Sequence, residues 1–250
     1  MPRKPPIPNQ EPVEYLTPAH VAAMEAAAPN MREELLIRLL FRSGCRISEA
    51  LALRPVDISA SRKIITIQHL KQRVLLKCPD CGERLARRDR VCSQCAQPVT
   101  EAMRQVQEQR SRRVIQIDQG SIDLVELYVR TDPRFRKNRE ARLFLFGTRW
   151  AEKLVAEMAR AAGVPPVINE MGKVHKVSPH RLRDAHATHF ITEMKKLGEE
   201  DDAYRLLQLQ LGHASVATTF KYRKLANVEQ RKAYNQVFGE QEGVKEGNPP

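Results

Sequence analysis

Residues 44–51 read Gly-Cys-Arg-Ile-Ser-Glu-Ala-Leu, and three further segments follow them in order: His180-Arg181-Leu182-Arg183-Asp184, then Leu211-Gly212-His213, then Tyr222, nine residues after His213. Each segment alone has an ordinary explanation. Arg46 at a helix start reads as a solvated or salt-bridged arginine. His180 and Arg183 lie three apart, which puts them on one helical face. Histidine after glycine is a common helix end, and a single tyrosine is usually a core or interface residue. Together the residue types have a common chemistry. Guanidiniums clamp an anion bidentately at any working pH. Histidine moves protons near neutrality, and a phenol is a nucleophile once its proton is taken or cations favour the phenolate.

The chain around these segments reads as mainly helical. Thr17-Pro18 opens a helix, with Thr as cap and Pro in the first turn. Asn30, with Glu33 three residues on, resembles a capping box, and Leu35, Leu36, Leu39 and Leu40 then repeat at helical spacing until Gly44. A short helix runs from about Arg46 to Leu53 and stops at Pro55. Residues 63–70 (KIITIQHL) and 112–117 (RRVIQI) alternate as strands. Between them lie 41 residues, 71–111, that carry four cysteines, so a natural hairpin is separated by an inserted module. Ser121 is expected to cap a helix through Val129, residues 130–142 form a basic loop, and residues 143–146 form a short strand. From Thr148 onward the pattern is helical, with Ser178-Pro179 opening one helix and Ser215 capping another. The fold class is therefore mainly α with a small antiparallel β-sheet.

The 250 residues carry a formal net charge of +12, with 42% hydrophobic and 29% charged residues. Such a surplus of cations points to a polyanionic partner. No run is long and apolar enough for a membrane span, no basic amphipathic helix stands out, and the lead MPRKPPIPNQEP lacks the apolar core of a secretory signal. Nucleic acid rather than membrane is the expected partner, and the cytoplasm the default location.

In order and in final spacing, Gly-x-Arg-x-Ser-Glu, His-x-x-Arg, Leu-Gly-His and the tyrosine resemble the tyrosine recombinases of the phage integrase family. The resemblance runs from about Leu16 to Phe238, apart from the cysteine insertion. It implies the catalytic domain of that family and a site-specific strand-transfer enzyme for DNA integration, excision or dimer resolution. Tyr222 is then the nucleophile that forms a 3′-phosphotyrosyl link. Arg46 and Arg183 clamp the phosphate, His213 donates a hydrogen bond to it, and His180 acts as acid or base. The family uses a hairpin lysine as general acid toward the leaving 5′-oxygen; Lys71 matches, and Lys77 beyond the turn is the other candidate. The bond energy stays in the covalent link, so neither ATP nor a catalytic divalent metal is implied. By resemblance the chain assembles on DNA, as a tetramer in the synapse, with residues 227–238 as an amphipathic helix for a neighbouring subunit.

The chain departs from that pattern in two places. Asp184 follows Arg183 where histidine is common. Too little chain precedes Leu16 for the family's usual helical core-binding domain. Three explanations stay open: the catalytic domain binds alone, an accessory protein or oligomer supplies the other half of the clamp, or the chain is a fragment. The expected organisation is a flexible lead (1–14), a catalytic domain (15–238) holding the inserted module (72–111), and a disordered tail (239–250). Competing readings are a non-catalytic DNA-binding regulator on the same domain, a zinc-ribbon adaptor, and a topoisomerase-like nicking and resealing activity.

Cys78, Cys81, Cys92 and Cys95 give C-x2-C-x10-C-x2-C. Two such knuckles turn four thiolates onto one ion, and four thiolates leave no open position, so structural Zn²⁺ in a zinc-ribbon insertion is expected. A redox dithiol pair or an iron–sulfur site fits the spacing less well. Basic residues Lys77, Arg84, Arg87, Arg88 and Arg90 surround the knuckles; phosphate contact and docking of a protein partner are both open roles. Cys45 reads as a small buried side chain, and His186 and His189 as packing or surface histidines.

Overall fold

The computed structural model describes residues 11–68, 76–86, 89–100, 112–169, 171–212, 216–219 and 222. Expectations for Lys71, Arg87, Arg88, His213, Ser215, the first ten residues, the 227–238 helix and the 239–250 tail lie outside the described residues.

Helix α1 (Pro18–Ala26) starts where Thr17 accepts from the His20 backbone N–H, and His20 returns a bond to the Thr17 N–H. Helix α2 (Met31–Ser43) starts at Asn30, whose side chain accepts from the Glu33 N–H at 3.2 Å. The Glu33 carboxylate does not return the bond of the expected box but pairs with Arg32. Arg38 reaches from α2 to Glu25 of α1 at 2.6 Å and ties the two helices. The leucines at 35, 36, 39 and 40 are all fully buried, together with Ile37, each burial contributing roughly 1.5–3 kcal/mol. Helix α3 (Ile47–Ala52) follows, and Pro55 opens a 3-10 turn, Pro55–Asp57.

Strands β1 (Ile58–Ser59) and β2 (Ile64–Gln68) are in sequence order; β3 (Leu76–Lys77) and β4 (Arg84–Leu85) belong to the cysteine insertion; β5 (Arg112–Gln116) closes it. The sheet order is β1-β2-β5, all antiparallel, and β2 meets β5 in unbroken register from Ile64↔Gln116 to Gln68↔Arg112. The insertion thus leaves the hairpin's pairing intact.

Helix α4 (Gln119–Thr131) is capped by Asp118 and not by Ser121: the Asp118 carboxylate accepts the Ser121 N–H at 3.0 Å and its hydroxyl at 2.7 Å. A carboxylate offers two acceptor oxygens, so the serine three residues on becomes its donor. The expected loop 130–142 contains one helical turn, α5 (Arg134–Lys137). Residues 143–146 are buried at Leu143 and Phe144 but pair through one bond, Leu143 N–H to Leu53 O at 2.8 Å, and form no strand. After α6 (Thr148–Ala161) comes a small hairpin, β6 (Val167–Ile168) and β7 (Val174–His175). Val13 bridges to it in parallel at Val167, so packed chain begins before Leu16.

Helix α7 (Pro179–Lys196) crosses the centre, burying Leu182, Arg183, Asp184, Ala185, His186 and Ala187. Helices α8 (Glu200–Leu211) and α9 (Val216–Thr219) follow. One core unites α1 to α7 and the three-stranded sheet; a second, smaller one gathers Ala187, Ile191, Tyr204, Leu207, Leu211 and Tyr222. No described helix is long and apolar enough to cross a membrane.

Candidate active site

Two helices end at left-handed glycines, Gly44 after α2 at φ 59° and Gly212 after α8 at φ 66°. Gly44 is required twice over. Besides its φ, a Cβ there would lie 2.4 Å from His186 Cδ2 and 2.8 Å from Leu211 Cδ2.

A helix that stops leaves its last carbonyls without intrahelical partners, and here guanidiniums fill the vacancy. Arg183, one turn into α7, donates from Nη1 to the Gly44 carbonyl and from Nη2 to the Leu211 carbonyl at 3.0 Å. Arg113 on β5 donates from Nε to the Gln210 carbonyl at 2.8 Å. The negative pole of α8 thus holds two cations, as its dipole favours.

Arg46 stands at the N-terminus of α3. Its backbone N–H reaches Glu49 Oε2 at 2.9 Å and its Nη1 reaches Oε1 at 3.0 Å. Arg113 grips the same carboxylate with both terminal nitrogens, at 2.8 and 3.2 Å. Burial pushes the Glu49 carboxyl up, but the hydrogen bonds and charge of Arg113, then of Arg46, outweigh it and hold the group at about 2.

Arg183 is 4% exposed. Burial, and then the nearby charge of Arg46, lower its pKa. A buried guanidinium lowered in this way is one whose charge an anion would favour.

Tyr222 is fully buried in the smaller core. Burial raises its phenol well above the usual range, the Asp184 charge adds to this, and Arg183 opposes. It borders a cavity of about 290 Å³ whose lining includes Glu14, Ile168, Asn169, His180 and Asp184. His180 is exposed, with Nε2 3.6 Å from Asp184 Oδ2, and Arg181 Nη1 holds the same oxygen at 3.1 Å.

Arg46, Arg183, His180 and Tyr222 therefore gather around α7. Lys77 lies on β3, opposite Arg84 and next to Cys78. Cys45 is buried, and burial pushes its thiol to about 11. His186 packs against Phe41 and Phe190, and His189 stacks on Phe41. Sequence reading gave Glu49 and Arg113 no role. For Arg113 a signal existed: it shares strand parity with Ile115 and Ile117, the buried face of β5, while Arg112, Val114 and Gln116 point out.

The four cysteine sulfurs all lie within 4.8 Å of one another, with Cys78–Cys95 at 3.4 Å and Cys81–Cys92 at 3.5 Å. A tetrahedron of thiolates about 2.3 Å from one ion has sulfur edges of about 3.8 Å, so the set fits such an ion. The two knuckles are near copies. In the first, Cys78 N–H bonds Glu83 O and Gly82 N–H bonds Cys78 O; in the second, Cys92 N–H bonds Gln97 O and Ala96 N–H bonds Cys92 O. Gly82 at φ 73° is matched by Ala96 at φ 57°.

The sequence pattern of the Phage integrase family matches residues 14–229. The chain is 28% identical over 202 residues to Tyrosine recombinase XerA of Thermococcus kodakarensis, covering 81% of this chain and 54% of that protein. It is 25% identical over 236 residues to Tyrosine recombinase XerA of Pyrococcus horikoshii, covering 92% of this chain and 63% of that one. A Resolvase of Escherichia coli is 26% identical over 222 residues, 84% of this chain and 73% of the relative. The chain thus spans less than two thirds of the length of either XerA. Among solved structures, XerA recombinase superposes with a TM-score of 0.56 at 22% identity, over 94% of this chain and 68% of that one. XerH recombinase bound to difH substrate, a pre-cleavage complex, superposes with a TM-score of 0.53 at 17% identity, over 91% of this chain and 54% of that one. At these identities the structures establish shared fold, and the family pattern establishes kinship: the chain belongs to the phage integrase family.

Proposed function

We propose that the chain cleaves and rejoins double-stranded DNA at specific sites through a covalent phosphotyrosine, with Tyr222 as nucleophile. The Tyr222 oxygen attacks the scissile phosphorus, the bond to the 5′-oxygen breaks, and the 3′-phosphotyrosyl link forms. Arg46 and Arg183 hold the non-bridging oxygens, and His213 adds a hydrogen bond. His180 takes the phenol proton, and Lys71, or Lys77, protonates the leaving 5′-oxygen. A 5′-hydroxyl from a partner strand reverses the steps, with no nucleotide cofactor or catalytic metal.

The observation that carries this reading is Arg183, buried and anchored to the ends of two helices, beside the buried Tyr222, with Arg46 held by Glu49 at the start of α3. A DNA-binding regulator has no use for such an arrangement, because surface lysines and arginines suffice for phosphate contact. The Xer relatives and the XerH–difH complex support duplex DNA as the partner. Assembly as a homotetramer on DNA and a cytoplasmic, nucleoid-associated location complete the proposal.

Within the insertion, the cysteines hold one structural Zn²⁺, which organises a segment with few apolar residues of its own. The basic side chains around it extend the DNA contact.

The test uses nicked suicide substrates from the native genomic neighbourhood and denaturing gels. Wild type is expected to yield a covalent adduct and Tyr222→Phe none. An adduct in both variants removes Tyr222 from its role; salt-sensitive binding without an adduct in either supports the regulator. Deleting residues 78–95 is expected to weaken binding, and unchanged affinity excludes the DNA role of the module.

A further inference from the structure

We infer that Arg113 is a positioning residue for Arg46, acting through Glu49, and that it sets the positive charge available to the phosphate; this rests on the strand-transfer reading above. An arginine on the inward face of a strand is costly to bury unless its charge is paired and its donors are used. Arg113 is 8% exposed, and its Nε and both terminal nitrogens have acceptors. A hydrocarbon side chain would fill this position more cheaply, as Ile115 and Ile117 do on the same face.

What Arg113 supplies follows from charge. Glu49 is almost fully buried, and its two oxygens take the Arg46 backbone N–H, the Arg46 Nη1 and the two ends of the Arg113 fork. Arg46 and Glu49 alone sum to zero, so a phosphate meeting them feels a dipole. Adding Arg113 restores one net positive charge to the trio, while Glu49 fixes the orientation of Arg46. Without Arg113, the buried carboxylate would draw Arg46 inward as its compensating cation, away from an incoming oxygen. The third bond, to Gln210, anchors the trio to the end of α8, the same end that holds Arg183 through Leu211. Strand β5 emerges from the cysteine insertion only one residue before Arg113, so the hairpin is mechanically part of the phosphate grip.

The experiment compares full-length wild type with Arg113→Met, Arg113→Lys and the double variant Arg113→Met/Glu49→Gln. Single-turnover adduct formation on suicide DNA is measured with DNA affinity and melting temperature. Arg113→Met should lower the cleavage rate about 100-fold, the scale of losing one preorganised charge contact, with affinity changed less than about threefold. Arg113→Lys, which keeps the charge without the fork, should fall between. The double variant removes the trapped carboxylate and should recover at least about tenfold over Arg113→Met, a coupling that loss of packing alone would not produce. Cleavage by Arg113→Met at the wild-type rate overturns the inference. So does a double variant slower than Arg113→Met, which would assign Arg113 to packing. Wild type that forms no adduct on any substrate overturns the strand-transfer reading, and the inference with it.

Discussion

Replacing Gly44 by alanine probes the junction that anchors Arg183. The backbone at φ 59° costs an L-residue about 1–2 kcal/mol. The new Cβ would meet His186 Cδ2 at 2.4 Å and Leu211 Cδ2 at 2.8 Å, and forcing such an atom into a packed interior costs about 1–3 kcal/mol more. The expected loss is about 2–5 kcal/mol, the sum of those two ranges. Gly198→Ala supplies the control: its φ is 79°, and nothing lies within 4 Å of a built Cβ, so it bears the backbone cost alone. Urea unfolding of the two variants gives the packing contribution as their difference. Gly44→Ala should also slow DNA cleavage more than Gly198→Ala, because the Gly44 carbonyl holds Arg183. Equal stability losses in the two variants, within about 0.5 kcal/mol, the scatter expected of independent sites, would refute the close approach of α2, α7 and α8.

Acid should destabilise the protein in two steps. His186, lowered to about 4 from 6.5 by burial, stays neutral in the folded state while the unfolded chain takes up a proton; stability therefore falls between pH 6.5 and 4, and His186→Phe should flatten that part of a stability–pH curve by about one proton. Glu49, depressed to about 2 from 4.5, contributes fully above pH 4.5 and loses its contribution as pH falls toward 2, a span worth about 3 kcal/mol that Glu49→Gln should abolish. In the insertion, Ala96→Gly relieves a left-handed alanine at φ 57° and should tighten zinc retention about fivefold, equivalent to about 1 kcal/mol, in competition with a chelator. Stripping zinc with a strong chelator should unfold residues 76–100 without lowering the melting temperature of the main core, measured by proteolysis beside calorimetry.

Local backbone chemistry was the most legible part of the sequence. Thr17 and Asn30 carry side-chain acceptors for a helix start, Gly44 reaches the left-handed backbone that ends one, and Pro55 lacks the N–H to continue one; each does what its type favours. Asp118 and Ser121 were ambiguous because either can cap, and the carboxylate won. Strands β6 and β7 are two residues each, too short for any alternation to register. The arginine–histidine–tyrosine set was readable as an ordered pattern, whereas its support was not. Glu49 and Arg113 are 64 positions apart, and no local rule pairs a helical glutamate with a distant strand arginine. The Arg183 bonds run to backbone carbonyls, which carry no side-chain identity to read. Only the inward parity of Arg113 betrayed it.

The unbroken register of β2 against β5 gives the hairpin the character of a socket. Its last described pair, Gln68↔Arg112, is complete, and Arg113 pairs one step inside it with Ile67. Closing a loop of roughly forty residues instead of four costs only about 2 kcal/mol, because the penalty grows with the logarithm of length. Guests of different size and affinity can therefore be exchanged outside that pair while the chemistry beneath stays constant. What the insertion touches can change without disturbing the strand pairing that carries Arg113.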